Sequence, residues 1–406
     1  MIVFHIDANS AYLSWTAAEM LKNGYPIDIR EIDSAIGGDP EKRHGVILAK
    51  SMSAKKKGVR TGESLFEAFR KCPNLEIFPP DHKLYAQYSK AMYALLSEYT
   101  PQIERYSIDE YWMDYTASES RFGPPVKVAY EIRDRIKNEL GFTVNVGVSS
   151  NKLLAKMASE LETPNRVHTL WPEEIPDKLW PLPVRELFMV GPAAEKKLVK
   201  SNIRTIGDLA HADPSYLRSI LKSQGEMIWQ YAQGIDNSPV HMEGEIPQKG
   251  YGNGITVDHD VTDRDDARGV ILSLVDKVAM RLRAGDSTCN VVTLSLTYSD
   301  FRKVSKQRLL PAYTASTSEI KNQAFRLLDE LWKGAPIRQI TVSVSGLAPQ
   351  GELQLSLTDY ADPLKEEKVD QVVDQIRKRF GSASVVRGRL AGKGQSVRDD
   401  LPEDEL

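Results

Sequence analysis

The stretch ERYSIDEYWMD, residues 104–114, places the adjacent carboxylates of Asp109 and Glu110 between two short runs of aromatic and branched side chains. Such runs are typical of β-strands, so we predict strands over 103–107 and 111–115 that meet at the two acids. Hairpins without a bound ligand favour Asn-Gly or Asp-Gly turns. Two like charges without a glycine fit better beside a cation, although acidic turns are also common on protein surfaces.

A third acid lies near the N-terminus. Residues 2–6 form a short apolar run that predicts a buried strand ending at Asp7, and residues 11–21 carry apolar side chains at helical spacing. Asn9 and Ser10 stand where this helix begins and are suited to cap it. We therefore expect Asp7 to be free for another role, the alternative being that it satisfies the first helix amides.

Three carboxylates on two core strands suit divalent cations. Mg²⁺ takes oxygen ligands and is commonly held by a few carboxylates together with substrate phosphates. Two such ions can activate a hydroxyl group and stabilise the leaving oxygens in phosphoryl transfer. Asp7, Asp109 and Glu110 are therefore candidate catalytic residues and candidate ligands of two Mg²⁺ ions. His5 is interpreted as a core strand residue, because this chemistry needs no histidine base.

Three sequence blocks occur in a fixed order: FHIDANSAY at 4–12, SIDE at 107–110 and VGVSSNKLLAK at 146–156. Together they resemble the Y-family translesion DNA polymerases of bacteria. The resemblance implies template-directed, error-prone addition of deoxynucleotides to the 3′-hydroxyl of a primer, in DNA damage tolerance and repair. It also implies that the Ala8 carbonyl contributes to the metal site, and that primer-template DNA and deoxynucleoside triphosphates are partners.

The resemblance implies a multidomain α/β (α+β) fold with the shape of a right hand. The sequence pattern agrees, because strands and helices alternate up to about residue 165, helices follow, and a second α/β pattern comes after a Gly- and Pro-rich stretch. The predicted parts are a βαββαβ palm at 1–23 and 77–166, small fingers at 24–76, a helical helix-hairpin-helix thumb at 167–236, a linker at 237–253, a separate α/β little-finger domain at 254–350 and a C-terminal extension with an acidic tail at 351–406.

Periodicity also predicts the individual elements. In the first part we predict helices over 63–71, 82–99 and 126–140, and strands over 44–49 and 142–148. In the last part we predict strands over 254–260, 290–298, 308–310, 339–347 and 384–386, and helices over 263–284, 316–332 and 363–380.

Four residues are assigned to nucleotide binding by the resemblance. Tyr12 stands five residues after Asp7, at the steric-gate position where an aromatic ring under the sugar refuses a 2′-hydroxyl; the alternative is an ordinary core tyrosine. Met52, Lys55 and Thr163 occupy positions where the family commonly has tyrosine, arginine and lysine facing the triphosphate. Lysine keeps the charge of arginine but lacks its two-pronged fork. Lys55, Lys152 or Lys156 could compensate.

Other residues are candidates for DNA binding. Lys152 opens a helix whose N-terminus could meet a phosphate. Gly191 lies in VGPAAEKKL, residues 190–198, which resembles a helix-hairpin-helix turn that offers backbone amides to DNA. Arg302 and Lys303 belong to a basic cluster, and residues 291–298 alternate so that one polar sheet face could lie against the DNA backbone. A structural helical hairpin and a solvated basic surface are the alternatives.

Residues 354–359, QLSLTD, resemble the peptide motif that binds the bacterial sliding clamp. The resemblance makes Gln354 the anchor and places Leu355 and Leu357 in a pocket. An aromatic residue is frequent where Thr358 stands, so the match is partial.

Composition sets limits on the remaining possibilities. The chain has 406 residues, 41% hydrophobic and 27% charged, which predicts a globular protein of two to four domains. Without an apolar run of membrane-spanning length or a signal-like N-terminus, we expect a cytoplasmic protein with no membrane association, and a monomer. Its two cysteines are far apart and predict neither a disulfide nor a zinc site.

Two alternatives stay open from the sequence. Nucleotide cyclases also use a palm-like sheet with carboxylates, but they need neither a thumb nor a clamp peptide. A catalytically weak or inactive scaffold that binds DNA and the clamp is favoured by Met52, Lys55 and Thr163, whereas the intact carboxylates favour the enzyme. Magnesium-dependent nucleotide incorporation separates the enzyme from the scaffold.

Overall fold

The structure is a computed structural model that describes residues 1–39, 45–242, 244–350, 363–381 and 384–388. The described residues divide into two compact units: Met1–Gly38 with Gly45–Ile246, and Asp39 with the residues from Pro247 onward. Gln354, Leu355 and Leu357 of the predicted clamp motif, and the predicted acidic tail, lie outside the described residues.

The first unit contains eight strands and eleven α-helices among its described residues. The strands are β1 Val3–Ala8, β2 Ser34–Gly37, β3 Ile47–Lys50, β4 Glu76–Phe78, β5 Ile103–Arg105, β6 Glu110–Asp114, β7 Val144–Ser149 and β8 Val167–Thr169. The helices are α1 Ala11–Lys22, α2 Met52–Lys56, α3 Leu65–Lys71, α4 His82–Ser97, α5 Glu119–Phe122, α6 Pro125–Arg135, α7 Lys152–Glu160, α8 Pro192–Lys200, α9 Ile206–Ala210, α10 Pro214–Leu221 and α11 Ser223–Ala232.

A five-stranded sheet in the order β5-β6-β1-β7-β8 organises this unit. Its pairs are antiparallel except β7 with β8. Side chains alternate along β1, so Phe4, Ile6 and Ala8 enter a core built with α1, α4 and α6. Val3, on the opposite face, packs against Ala155 of α7. The two sheet faces therefore differ, and the face under α7 carries the candidate acids Asp7 and Glu110.

Two of the predicted palm boundaries disagree with the observed sheets. β4 pairs with β2 in a separate three-stranded sheet ordered β3-β2-β4, so a boundary between residues 76 and 77 would cut it. β8 pairs with β7, so the thumb predicted from residue 167 would begin on a strand of the five-stranded sheet. Short strands bounded by polar residues give little periodicity, and their sheet membership depends on pairing partners distant in sequence.

The segment 234–241 covers the end of the predicted thumb and the start of the predicted linker, and it makes several hydrogen bonds to the rest of the first unit. Asn151 Nδ2 donates to the Gly234 carbonyl over 2.9 Å, and the Leu153 amide donates to Asp236 Oδ2 over 3.1 Å. The His241 amide donates to Glu104 Oε2 over 2.8 Å. The segment 234–241 is therefore fastened to the first turn of α7 and to β5, and its Gly and Pro content did not indicate this.

The second unit contains one four-stranded antiparallel sheet, in the order β11-β10-β12-β9, and three helices among its described residues. These elements are β9 Gly250–Val261, α12 Arg264–Ala284, β10 Ser287–Tyr298, β11 Lys303–Thr314, α13 Thr317–Leu331, β12 Ile337–Pro349 and α14 Pro363–Phe380. Its core lies between α12, α13 and the sheet. The alternation predicted for β10 is confirmed, since Val292, Leu294 and Leu296 are buried while Thr293 and Ser295 are half-buried.

Three predictions in this unit were wrong in extent or type. β9 begins at Gly250, inside the predicted linker. β11 spans twelve residues rather than the three predicted at 308–310, because an exposed edge strand needs no apolar alternation. The predicted strand at 384–386 is not formed.

Helix α14 attaches to the second unit through charged side chains. Arg283 of α12 lies 3.4 Å from Asp370 and 2.6 Å from Asp374, and Arg377 lies 2.6 Å from Asp276. Asp370 also accepts a hydrogen bond from the Thr317 amide over 2.8 Å. The helix boundaries predicted at 363–380 are confirmed, but its attachment by ion pairs could not be read from periodicity.

Candidate active site

The register between β1 and β6 brings the three predicted acids together. Asp7 lies directly opposite Glu110, and the Ala8 amide donates to the Asp109 carbonyl over 3.0 Å. Directly opposed residues of antiparallel strands project their side chains to the same face. The carboxylates of Asp7, Asp109 and Glu110 therefore lie near one another, beside the backbone of Ala8.

Two of these acids are disfavoured as anions. Burial, followed by the negative charges of Glu110 and Asp109, raises the pKa of Asp7 to about 8. Burial also raises the pKa of Asp109, against a 2.6 Å hydrogen bond that its Oδ1 accepts from Ser107. In the metal-free protein Asp7 therefore favours its protonated form at neutral pH, and a bound cation would favour the carboxylate form.

Glu110 behaves differently because two side chains face its Oε2 atom. Lys156 Nζ lies 2.5 Å away and His5 Nε2 lies 3.2 Å away. Burial alone would raise the pKa of Glu110, but these partners outweigh it and hold the pKa at about 2. Burial lowers the pKa of His5 to about 4, so Glu110 is an anion beside a neutral imidazole at neutral pH.

The oxygen donors present fit a hard divalent cation. Asp7, Asp109 and Glu110 supply carboxylates, and the Ala8 carbonyl is adjacent, which is the ligand chemistry that Mg²⁺ selects. In the part of the chain that the structure describes, no three His, Cys, Asp or Glu side chains are already arranged as a metal cage. Oε2 of Glu110 accepts a hydrogen bond from Lys156. The donors fit by identity and charge, and cation binding would compete with this ion pair.

Gly147 explains how α7 reaches the acids. It lies opposite His5 on β7, and a Cβ at this position would lie 1.9 Å from the Ala155 carbonyl oxygen and 2.5 Å from the Ser159 amide nitrogen. The helix backbone therefore rests directly on the sheet. This contact brings Lys156 to Glu110 and Ser159 to His5.

Tyr12 stands beside the carboxylates with a fixed ring. Its ring stacks on Tyr85 with centroids 4.3 Å apart and meets the edge of His82 at 6.0 Å. Burial and the nearby negative charge of Asp109 raise the pKa of Tyr12. The ring is half-buried on the first turn of α1.

The capping prediction for α1 was wrong. Ser10 has the left-handed φ of 47° and makes no side-chain cap. Asn9 instead accepts a hydrogen bond from the Asn165 amide over 2.8 Å. Asn9 thereby links the start of α1 to the segment that follows α7.

Met52 and Lys55 are exposed on α2, and Thr163 is exposed after α7. Among the described residues, no hydrogen bond, ion pair or ring contact joins them to the three carboxylates.

Lys50, which was not among the candidates predicted from the sequence, ends β3 and donates to Thr61 over 3.0 Å. Burial and the positive charge of Lys55 lower the pKa of Lys50, so two cations lie close together on this subdomain. The sequence signal for Lys50 was its position directly before Ser51, the residue that caps α2.

The structure corrects the roles suggested for Lys152 and Lys156. Both are buried, and the Lys152 ammonium lies 2.6 Å from Glu104 and 4.5 Å from the centre of the Trp112 ring. Lys156 is shared between Glu110 and Glu160. Neither ammonium is therefore available to DNA or a triphosphate in this structure, because each already neutralises a carboxylate.

The remaining DNA-binding candidates are accessible. Gly191 precedes α8, and a Cβ there would meet nothing within 4 Å. In the second unit Arg302 and Lys303 are exposed, and the Arg302 guanidinium lies 5.0 Å from the centre of the Tyr298 ring.

No helix among the described residues has the length and apolar character needed to cross a membrane.

His5, Ser107 and Ser159 were missed as functional candidates. His5 was interpreted as a core residue; it is fully buried, but it contacts Glu110 and Ser159. The signal was its position two residues before Asp7, which places both side chains on the same sheet face. Lys156 and Ser159 are three residues apart, which places them on one face of α7.

Two sequence-family profiles match the chain: the impB/mucB/samB family over residues 6–160 and the C-terminal domain of the same family over 248–357. A DNA polymerase IV of Clostridium acetobutylicum is 46% identical over 97% of this chain and 98% of its own length. A DNA polymerase IV 1 of Bacillus subtilis is 32% identical over 100% of this chain and 98% of its own.

Solved structures agree in fold. A Y-family DNA polymerase chimera superposes with a TM-score of 0.74 at 23% identity, covering 86% of this chain and 100% of its own. DinB from Sulfolobus solfataricus superposes with a TM-score of 0.57 at 23% identity, covering 85% of this chain and 98% of its own. The multidomain α/β polymerase fold expected from the sequence is thus confirmed. The chain therefore belongs to the Y family of translesion DNA polymerases, with the DNA-directed DNA polymerases named DNA polymerase IV.

Proposed function

We propose that the chain extends a primer 3′-hydroxyl by a two-metal mechanism in which Asp7, Asp109 and Glu110, with the Ala8 carbonyl, hold two Mg²⁺ ions. Y-family DNA polymerases generally use divalent metal ions, and DNA and nucleotides are their substrates. One observation carries the proposal: the pairing of β1 with β6 places Asp7 directly opposite Glu110 and Ala8 beside Asp109, so that three acids share one partly buried site.

Two bound Mg²⁺ ions would favour ionisation of the primer hydroxyl and neutralise the triphosphate and its leaving pyrophosphate. The protein's part is to hold its carboxylates in register across β1 and β6 and to keep Glu110 ionised through Lys156. Tyr12 limits the space under the incoming sugar, its ring held in place by Tyr85. No side chain is assigned as a general base.

The substrate contacts follow from exposure and charge. Met52, Lys55 and Thr163 face the incoming nucleotide in this proposal, and the cation pair Lys50 and Lys55 offers positive charge to its phosphates. Gly191, Arg302 and Lys303 contact the DNA backbone, which gives binding without sequence preference.

Three further parts of the proposal come from the family resemblance and the sequence. The protein acts in DNA damage tolerance and repair in the cytoplasm as a monomer. It is recruited by the bacterial sliding clamp through Gln354, Leu355 and Leu357. A clamp pull-down with Gln354→Ala and Leu357→Ala as paired variants tests the last part, and capture equal to wild type contradicts it.

The experiment for catalysis is single-nucleotide incorporation on undamaged and abasic templates, comparing wild type with Asp109→Asn. We expect wild type to incorporate with Mg²⁺ and the variant to lose at least ~10²-fold in rate, the scale for removing one preorganised electrostatic group. DNA affinity, measured by fluorescence anisotropy, should stay near that of wild type. Wild type that binds DNA without incorporating nucleotides would favour the scaffold, and an Asp109→Asn variant with full activity would remove Asp109 from the site.

A further inference from the structure

His5 occupies an unusual place for a histidine. It is fully buried in the middle of β1, between the five-stranded sheet and α7, and its side chain shares a sheet face with Asp7. Its ring lies 5.3 Å from the Trp112 ring on the neighbouring strand. A purely apolar side chain would fill this space without the cost of burying two ring nitrogens.

Both ring nitrogens face polar groups. Nδ1 lies 2.8 Å from Ser159 Oγ, and Nε2 lies 3.2 Å from Oε2 of Glu110. The second contact is close but oblique, without the alignment of a good hydrogen bond. His5 therefore forms a bridge from α7 to the carboxylate that the first unit offers to a metal ion.

The Ser159 hydroxyl determines which ring nitrogen of His5 carries the proton. Its hydroxyl lies 2.8 Å both from His5 Nδ1 and from the Lys156 carbonyl. When the hydroxyl donates to Nδ1, the neutral imidazole carries its proton on Nε2 and presents an N–H to Glu110. When the hydroxyl donates to the carbonyl, Nε2 would turn a lone pair toward an anion, which is repulsive. The first arrangement satisfies His5 and Glu110 together.

We propose that His5, oriented by Ser159, is a positioning residue that fixes the rotation of the Glu110 carboxylate for metal binding. This inference rests on the proposed two-metal function. Lys156 approaches the same oxygen from α7, so His5 and Lys156 together define Oε2 as the anchored oxygen. The lone pairs of Oε1 are left for a cation. Mutation of a side chain that orients a metal ligand without touching the metal typically changes metal affinity or activity by 10- to 100-fold.

The test compares His5→Leu, which keeps the volume but removes the donor, with His5→Gln, whose amide nitrogen can replace Nε2–H. Ser159→Ala removes the orienting hydroxyl and leaves the ring. Phe4→Leu is the matched control, because Phe4 is the neighbouring buried residue on the opposite sheet face and contacts Tyr115 rather than the acids. Measurements are the single-turnover rate, nucleotide Kd, melting temperature, and Mn²⁺ affinity by electron paramagnetic resonance on a complex with a dideoxy-terminated primer.

We expect His5→Leu to lower the rate and the Mn²⁺ affinity by about 10- to 100-fold, with DNA affinity and melting temperature like those of Phe4→Leu. His5→Gln should recover most of the rate and of the Mn²⁺ affinity. The values for Ser159→Ala should lie between those of His5→Leu and His5→Gln. Equal losses in His5→Leu and His5→Gln, or losses that only follow melting temperature across all variants, would reduce His5 to a packing residue. A wild-type protein that does not incorporate nucleotides with Mg²⁺ would instead overturn the proposed function itself.

Discussion

At the scale of single residues, the site combines two buried acids whose pKa values are shifted in opposite directions by their neighbours. Glu110 is stabilised as an anion by Lys156, whereas Asp7, directly opposite, faces like charges and has a raised pKa. This contrast has a physical consequence for the metal-free protein. Asp7 costs stability there, and bound cations would remove that cost.

Asp7→Asn should therefore stabilise the protein in the absence of metal. The folded-state pKa of Asp7, about 8, lies above the value near 4 of an unfolded chain, so the folded state binds more protons in between. Its stability thus falls as pH rises from about 4 to 8. In EDTA, the melting temperature of Asp7→Asn should exceed that of wild type, with a difference that grows from pH 5 to pH 8.

Adding Mg²⁺ should raise the melting temperature of wild type more than that of Asp7→Asn, since ligands stabilise only the state that binds them. The control is Asp114→Asn, which changes a carboxylate on the same face of β6, away from the site. A melting temperature of Asp7→Asn at or below wild type throughout this pH range would contradict the buried, repelled carboxylate.

Tyr12→Ala should let ribonucleotides in. The ring is held by Tyr85, and its removal opens space beside Asp109 where the 2′-hydroxyl would lie. We expect the ratio of kcat/KM for deoxy- over ribonucleotides to fall by at least ~10²-fold, because steric exclusion is lost while deoxynucleotide binding is largely kept. Tyr12→Phe keeps the ring and should discriminate like wild type. An unchanged ratio in Tyr12→Ala would remove the gate role.

At the scale of elements, periodicity predicted the long helices and the alternating strand β10 well, because their apolar positions are dense enough to define one face. It did not predict the length of β11, whose exposed positions carry charges, or the packing of the segment 234–241 on α7. Both depend on partners distant in sequence. The acidic hairpin was predicted, but the contact of α7 with the sheet, which supplies Lys156 and Ser159, was not.

Gly147 controls that contact. An alanine at this position would overlap the α7 backbone, so Gly147→Ala should destabilise the first unit by about 3 kcal/mol and lower polymerase activity by moving Lys156 and Ser159. The matched control is Gly269→Ala in α12, where a Cβ meets nothing within 4 Å and a helical alanine should add up to about 1 kcal/mol. Urea denaturation measures both changes. A Gly147→Ala protein as stable and active as Gly269→Ala would show that α7 does not need this close approach.

At the scale of the whole molecule, the order of three sequence blocks was enough to predict a Y-family DNA polymerase. The resemblance gave the fold and the enzyme class because both are shared across the family. The resemblance did not predict the effect of Met52, Lys55 and Thr163, where this chain departs from the family pattern, since that effect depends on neighbours such as Lys50. Chain length also predicted more than one core, and the five-stranded sheet, the helical region that follows it and the second unit each have a separate one.

In the proposed mechanism the carboxylates of Asp7, Asp109 and Glu110 support metal-dependent DNA synthesis. The most direct measurement is primer extension as a function of Mg²⁺ concentration, for wild type, Glu110→Gln and the control Asp114→Asn. We predict Mg²⁺-dependent extension by wild type and Asp114→Asn, and a loss of at least ~10²-fold for Glu110→Gln with DNA still bound. Extension by Glu110→Gln at the wild-type rate, with the same Mg²⁺ requirement, would exclude these carboxylates as the metal site.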